Sequence, residues 1–462
     1  MLIGAFFVLL AYACFRGLTR DVGVVALVVI VGFSQDPARK LVAGEPVIMT
    51  IMVGIVVACM AARQLFVNNR AVTDPFSKWT DTIMPALGLY LALIGIQGVH
   101  SLLRYGSPLL TGLGAIFYIA PLVAIVVAYS QFQRFEVARH FLLLFCLLAL
   151  IASASVIYSY LGGESRLLGE VGSGLIIYDQ GTILKAYSGL MRSSEIASWH
   201  MGASVCFLVI LIVDRGSTSS LVITALAIGL LMAAIILTGR RKMILQIVIF
   251  SCIYFPLLRY YQGRLSSRFL SIVVIGSVVL SIGYLWFLPS FQGSDYDLYL
   301  ARGVSVFADA GERFSTLGLG SIYWAYNQHG FFGGGLGIAS QGSQHFVEGN
   351  VGGAGEGGIG KLVSELGLGA LIVVTWLGIA FSKHIHNCLG LVASSVPDKL
   401  PFVVGILVFL LANVPTFIVA SQVYGDVFVL IILGFLAGFL FALPNQVVNR
   451  LQGNHPQRVT SL

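Results

Sequence analysis

Apolar runs of about 15 to 22 residues recur from one end of the chain to the other, and no other feature limits its fold as strongly. A hydrocarbon layer ~30 Å thick takes ~20 helical residues to cross, and its backbone polar groups must then bond within the segment. Windows of high hydropathy predict spans near 2–16, 21–34, 46–62, 82–98, 109–130, 139–160, 198–214, 219–238, 243–260, 269–288, 361–382, 400–420 and 424–443. The expectation is an all-α polytopic integral membrane protein with about 12 to 13 transmembrane helices.

Composition agrees: 57% of the 462 residues are hydrophobic and only 10% charged, with a mean hydropathy of +0.92. The six cysteines are scattered, without a CxxC pair or a Cys/His cluster, so neither a zinc site nor a disulfide framework is expected. The net charge of +7 is spread over short loops, which suits orientation and lipid headgroups and not nucleic acid. The N-terminus is apolar from Leu2 and lacks a basic leader, so it reads as a retained first span.

Two connections are long, near 161–197 and 289–360. They divide the chain into a transmembrane bundle over 1–288, a loop domain over 289–360, C-terminal helices over 361–443 and a tail over 444–462. If the 289–360 loop is extracytoplasmic, the opposite side carries Arg16, Arg63, Arg134, Arg139, Arg259, Lys399 and Arg450, a thin positive-inside bias that makes the tail cytoplasmic. Much of the opposing charge is one triplet, Arg240-Arg241-Lys242, between two spans. It reads as a lipid-phosphate anchor, as a sign of inverted topology, or as a holder of an anion at the outer face.

The run GAGEGGIGKLVSELGLGAL (353–371) comes within one residue of a phosphate-binding P-loop. Gly355, Gly360 and Lys361 fit the spacing, but Leu362 stands where the metal-binding hydroxyl belongs, and no strand precedes the run. A nucleotide is not expected there.

Four stretches in order resemble the O-antigen ligase and O-antigen polymerase superfamily. They are Thr238-Gly239-Arg240-Arg241, Arg313 in GERFSTLGLG, the glycine turn GFFGGGLG (330–337) and Glu365-Leu366-Gly367-Leu368-Gly369 leading into a helix. The resemblance covers about 235–375, and the N-terminal 230 residues share only the many-span layout. Where such proteins usually place His before the glutamate of the last motif, this chain has Glu356. Glu356 is the candidate base, with His345 as the alternative.

The resemblance implies a GT-C-like enzyme of the bacterial inner membrane whose active site faces the periplasm. It would be a metal-independent, inverting glycosyltransferase without cofactor. The donor would be an undecaprenyl-diphosphate-linked oligosaccharide and the acceptor a glycan or a lipid A-core. Membrane lipids, a chain-length regulator and a flippase are the other partners it implies. Arg241, with Arg240 beside it, and Arg313 would grip the diphosphate, since guanidinium forks match phosphate oxygens. Arg192, Glu195 and Arg302 are further substrate-binding candidates, although Arg192 and Glu195 read more readily as an ion pair within one turn. Lys361 and Glu365, four apart, are expected to pair near the start of the 361–382 span. Asp295-Tyr296-Asp297 has the D-x-D form of some cation sites, a match too short to carry a metal.

Polymerase is favoured over ligase because of Glu356, with a surface polysaccharide such as O-antigen or an exopolysaccharide as the product. A secondary transporter or glycan-flipping protein is the alternative, though no internal repeat is visible and the unusual charges gather at one mouth. A non-catalytic envelope scaffold gives no reason for the basic residues.

Overall fold

The computed structural model describes residues 2–19, 23–44, 46–66, 74–77, 81–168, 171, 176–179, 182–215, 218–262, 295–340, 343 and 357–453. The expected span at 269–288, both candidate bases (His345 and Glu356) and residues 454–462 of the tail lie outside these residues, as do the side chains of Asp295, Tyr296 and Asp297.

Before the first long connection come α1 (Leu2–Thr19), α2 (Val24–Leu41), α3 (Met52–Phe66), the single turn α4 (Asp74–Ser77), α5 (Ile83–Tyr105), α6 (Pro108–Gln131) and α7 (Phe135–Tyr160). After it come α8 (Ser194–Arg215), α9 (Thr218–Leu237), α10 (Lys242–Gln262), α11 (Asp295–Arg313), α12 (Gly320–His329), α13 (Gly358–Leu366), α14 (Gly369–Ser395), α15 (Leu400–Val419) and α16 (Val427–Gly453). Ten helical segments among the described residues are long and apolar enough to cross a membrane. The chain is therefore an all-α, multi-pass membrane protein.

The bundle is layered around α8 and α16, whose spans are 94% and 89% buried, while α1 at 22% lies on the rim. Leu2, Phe7, Val8 and Phe15 of α1 point outward, as expected of a lipid-facing helix. The closest helix pair is α6 with α16. A Cβ on Gly434 would lie 2.6 Å from the Pro121 carbonyl oxygen, and one on Gly438 2.5 Å from that of Ile125. Small residues let two backbones meet where lipid supplies no hydrophobic drive.

Ion pairs mark one end of the bundle. Lys399 meets Asp214 at 3.3 Å and Arg450 meets Asp398 at 2.9 Å. The starts of α8, α10 and α16 and the ends of α2 and α9 lie at the opposite end, called the mouth below. The connection after α7 also folds at the mouth, as an antiparallel hairpin of β1 (Ile176–Asp179) and β2 (Thr182–Lys185) with Ile177 opposite Leu184. Tyr160, Tyr187 and Tyr299 form an aromatic knot there, with ring centroids 5.5 to 6.4 Å apart, and the Tyr299 hydroxyl donates to the Lys185 carbonyl. Tyr299 thus packs the loop, whereas Tyr323 stays 72% exposed.

Several elements depart from expectation, among them α16, which runs through Pro444 to Gly453 into the stretch read as a tail. The second span does not stop at residue 34: α2 runs through Pro37 to Leu41 and carries Asp36 with it. The span expected over 361–382 is two helices, because Gly367 adopts a left-handed φ of 81° between α13 and α14. The transmembrane helix begins only at Gly369.

Candidate functional site

The turn between α9 and α10 shows how the sequence builds the mouth. Thr238 caps the end of α9, its hydroxyl bonding the Ile235 carbonyl at 2.6 Å and accepting from the Arg240 N–H at 3.3 Å. Gly239 follows at φ 65°, a conformation that suits glycine, and reverses the chain. Arg240 and Arg241 therefore leave the turn side by side at the start of α10.

Their surroundings come from distant parts of the chain. Arg240 donates through Nε to Ser194 Oγ at 2.9 Å and meets Glu195 at 3.3 Å. Lys242 also reaches Glu195, at 3.0 Å. Gln422, with its amide nitrogen facing Glu195, donates to both carboxylate oxygens, at 2.5 and 2.8 Å. Arg241 donates to Ser305 Oγ on α11. Arg302, one turn earlier on that helix, donates to the Gly239 carbonyl at 3.1 Å. The triplet, Glu195 and Arg302 thus form one constellation on α8, α10 and α11.

Arg192 does not pair with Glu195, as their spacing had suggested. It turns to the other side, meeting Asp36 at 3.2 Å and Asp426 at 2.6 Å, and its backbone N–H also donates to Asp36 at 3.1 Å. Burial disfavours the charged guanidinium, but Asp426 and Asp36 more than offset it and hold its pKa above the usual value. Asp426 also caps α16 by accepting from the Val429 N–H at 2.8 Å. Nearby, Lys40 donates to the Gly189 carbonyl at 2.6 Å. These contacts bring Lys40, Arg192, Arg240, Arg241, Lys242 and Arg302 to the mouth together with the carboxylates of Asp36, Glu195 and Asp426.

Arg313 is not in this cluster. It lies eleven residues beyond Arg302 on α11, on the same helix face because eleven residues make three turns, and about 16 Å farther along the axis. It is half-buried and has no hydrogen-bond or ion-pair partner among the described residues. Arg302, Ser305 and Arg313 form a polar stripe that begins at the constellation and runs away from it.

The glycine turn and the last motif form a second assembly. Residues 330–340 are wedged between α5, α6 and α13. Gln97 donates to the Phe332 carbonyl at 2.6 Å and Ser101 to that of Leu336 at 2.8 Å. A Cβ on Gly337 would stand 2.2 Å from the Leu110 oxygen, and its φ is 89°, so only glycine fits. The same loop closes the break before α14: the Leu368 N–H donates to the Phe331 oxygen at 3.0 Å, and the Gly334 N–H to the Ser364 oxygen at 2.7 Å.

Glu365 is fully buried at the centre of this assembly. It accepts from the Tyr118 hydroxyl at 2.7 Å, the Ala339 N–H at 3.0 Å and the Ser340 hydroxyl at 3.2 Å. The expected direct pair with Lys361 does not form. Lys361 instead donates to Ser340 at 3.4 Å and lies 4.2 Å above the Phe117 ring, so the two charges share a hydroxyl. The start of α13 is no phosphate cradle, since Gly357 is pressed against the carbonyls of Leu317 and Ile418, where oxygen repels an anion.

Among the described residues, no group of three or more His, Cys, Asp or Glu is placed to hold a metal ion. No protein-family model and no curated protein matches the chain. Asp36, Asp426 and Ser305 were not singled out in the sequence. Their only signal was position: Asp36 and Asp426 flank span ends, and Ser305 falls one turn after Arg302.

Proposed function

We propose that the chain transfers a glycan from an undecaprenyl-diphosphate-linked donor to an acceptor hydroxyl at the outer face of a bacterial inner membrane, and so extends a surface polysaccharide. What supports the reading is the meeting of Arg240, Arg241, Lys242 and Arg302 at one mouth, held by residues of α8, α10 and α11, in a chain of which only 10% is charged. The half-buried Glu195 carboxylate and the Ser194 and Ser305 hydroxyls hold Arg240, Arg241 and Lys242 in place, and fixed donors stabilise charge that develops on a leaving group.

In such a transfer the acceptor oxygen bonds to the anomeric carbon while the bond from that carbon to the diphosphate oxygen breaks. The acceptor proton passes to a base, and polyprenyl diphosphate leaves with its added charge. Arg241 and Arg240 would take the diphosphate. The stripe through Ser305 to Arg313 would carry the sugars away from it, which assigns Arg313 to the glycan or to the far phosphate. Glu356 or His345 would take the proton.

The test expresses Arg241→Ala, Arg313→Ala and Glu356→Gln in a strain lacking the protein and reads glycan chain length on a gel. Loss of one preorganised donor typically costs about 10² to 10³ in rate, so Arg241→Ala should leave unpolymerised repeats. Arg241→Lys should remain impaired, because a point charge cannot reproduce the fork. Full-length polymer from all three variants would end the proposal.

A further inference from the structure

Lys361 is 92% buried, as its 8% relative exposure shows, and spends its ammonium on one long hydrogen bond and one aromatic face. An ammonium has three donors, so Lys361 keeps capacity for an anion. It lines a groove of about 320 Å³ between α5, α6, α13, α14, α15 and α16, where ligand clefts of ~300 Å³ and more begin. The rest of the groove is largely hydrocarbon and aromatic, with Phe117, Leu122, Leu377, Phe381, Phe417 and Leu430 along it. Ser421 and Tyr424 also line it, and both belong to the short connection between α15 and α16.

That connection has two sides. Ser421 and Tyr424 face the groove, while Gln422 faces Glu195 and Asp426 holds Arg192. The groove and the basic constellation are therefore separated by a single turn of chain. A cation within an apolar groove suits an amphiphile with a phosphate at the start of a long hydrocarbon chain. Glu365 answers that charge only through the shared Ser340 hydroxyl, and an ordinary lipid tail would use none of the ammonium donors that remain.

Resting on the proposed reaction, we infer that this groove seats the polyprenyl chain of the donor, with Lys361 against the phosphate nearest that chain. The sugar-bearing phosphate is then directed across the 421–426 connection toward Arg240 and Arg241. Lys361 is a binding residue that positions the donor, and it takes no proton in the transfer.

The experiment uses the purified full chain in nanodiscs and undecaprenyl diphosphate carrying a diazirine in its first isoprene units. After irradiation, mass spectrometry should place the label on the segments around Phe117 or Leu377. Lys361→Gln should raise the half-saturating concentration about tenfold, as expected for loss of one charge-assisted contact, and Lys361→Arg should restore most of it. Leu377→Trp fills the groove without touching the lysine and should abolish labelling, which keeps the test decisive if Lys361→Gln does not fold. Label elsewhere, Lys361→Gln labelling like wild type, or equal competition by phosphatidylglycerol would each overturn the inference, the last by showing a general lipid site. Arg241→Ala should lose transfer and keep the label. Groove labelling in a protein that never transfers sugar would sink the proposed reaction alone, and transfer with the label elsewhere would sink the groove alone.

Discussion

Arg192 sits between two carboxylates that have no other cation among the described residues, with Asp36 3% and Asp426 1% exposed. Removing one member of such a group strands the others in a medium that cannot solvate them, at a cost of about 3 to 5 kcal/mol, whereas replacing all members together is often close to neutral. Arg192→Met should therefore lower the thermal unfolding midpoint of the purified protein markedly. Asp36→Asn/Arg192→Met/Asp426→Asn should recover most of the loss, because an asparagine side chain caps the start of α16 as well as an aspartate does. A triple variant as unstable as the single one would show that the ion group itself holds α2, α8 and α16 together. At this scale the sequence was only partly legible. Arg192 and Glu195 were recognisable as mouth residues, but Arg192 and Asp36 are 156 positions apart and no spacing rule joins them. Near neighbours suggested a pair that three-dimensional packing divided between two clusters. Lys361 and Glu365 misled in the same way: four residues on one face promised contact, and Ser340, brought in by the glycine loop, took the place between them.

Among the elements, apolar length carried nearly all of the information that could be read in advance. Long runs such as 109–130 and 400–420 became α6 and α15 almost unchanged. The breaks were harder, because hydropathy does not register a left-handed residue: Gly367 divides one apolar run into α13 and α14 without any change in polarity. Gly367→Ala would place a Cβ 2.6 Å from the Phe331 oxygen in a backbone region that costs a non-glycine residue of order 1–3 kcal/mol before any clash. It should lower the unfolding midpoint clearly. Gly378→Ala on α14 meets nothing within 4 Å and should raise the midpoint slightly, since alanine restricts the unfolded chain. A melting series that ranks the two the other way would contradict the placement of the break. The P-loop likeness also dissolves at this scale, because Gly357 serves close backbone packing and Lys361 lies over the Phe117 ring in an apolar groove.

Across the whole molecule, two separate sets of ion pairs lie at opposite ends of the bundle. Lys399–Asp214 and Arg450–Asp398 close one end, and the constellation around Arg240 and Arg192 occupies the other. In a background without cysteines, Tyr323→Cys and Asp398→Cys should react with a membrane-impermeant maleimide from opposite sides. On the proposed function, Tyr323→Cys reacts in intact cells. Labelling of both from one side would contradict the placement of the two ends on opposite sides. The many-span class was readable from composition alone, but which helices lie at the centre was not. The spans of α8 and α1 have similar hydropathy, 2.1 and 1.8, and differ more than fourfold in the share buried.

The wedged loop also bears on how such a chain is assembled. Gln97 precedes its partner Phe332 by 235 residues, so α5 and α6 are synthesised and inserted long before the loop that will occupy them exists. Until then the Gln97 amide lacks its Phe332 partner, and the Ser101 hydroxyl has only Thr111 nearby in place of Leu336. When 330–340 arrives it completes those bonds and supplies the backbone partners for the break before α14, which hydrocarbon could not. The first-made hairpin thus acts as a mould for a joint that is made last, and assembly has a direction, from the N-terminal half toward the C-terminal one.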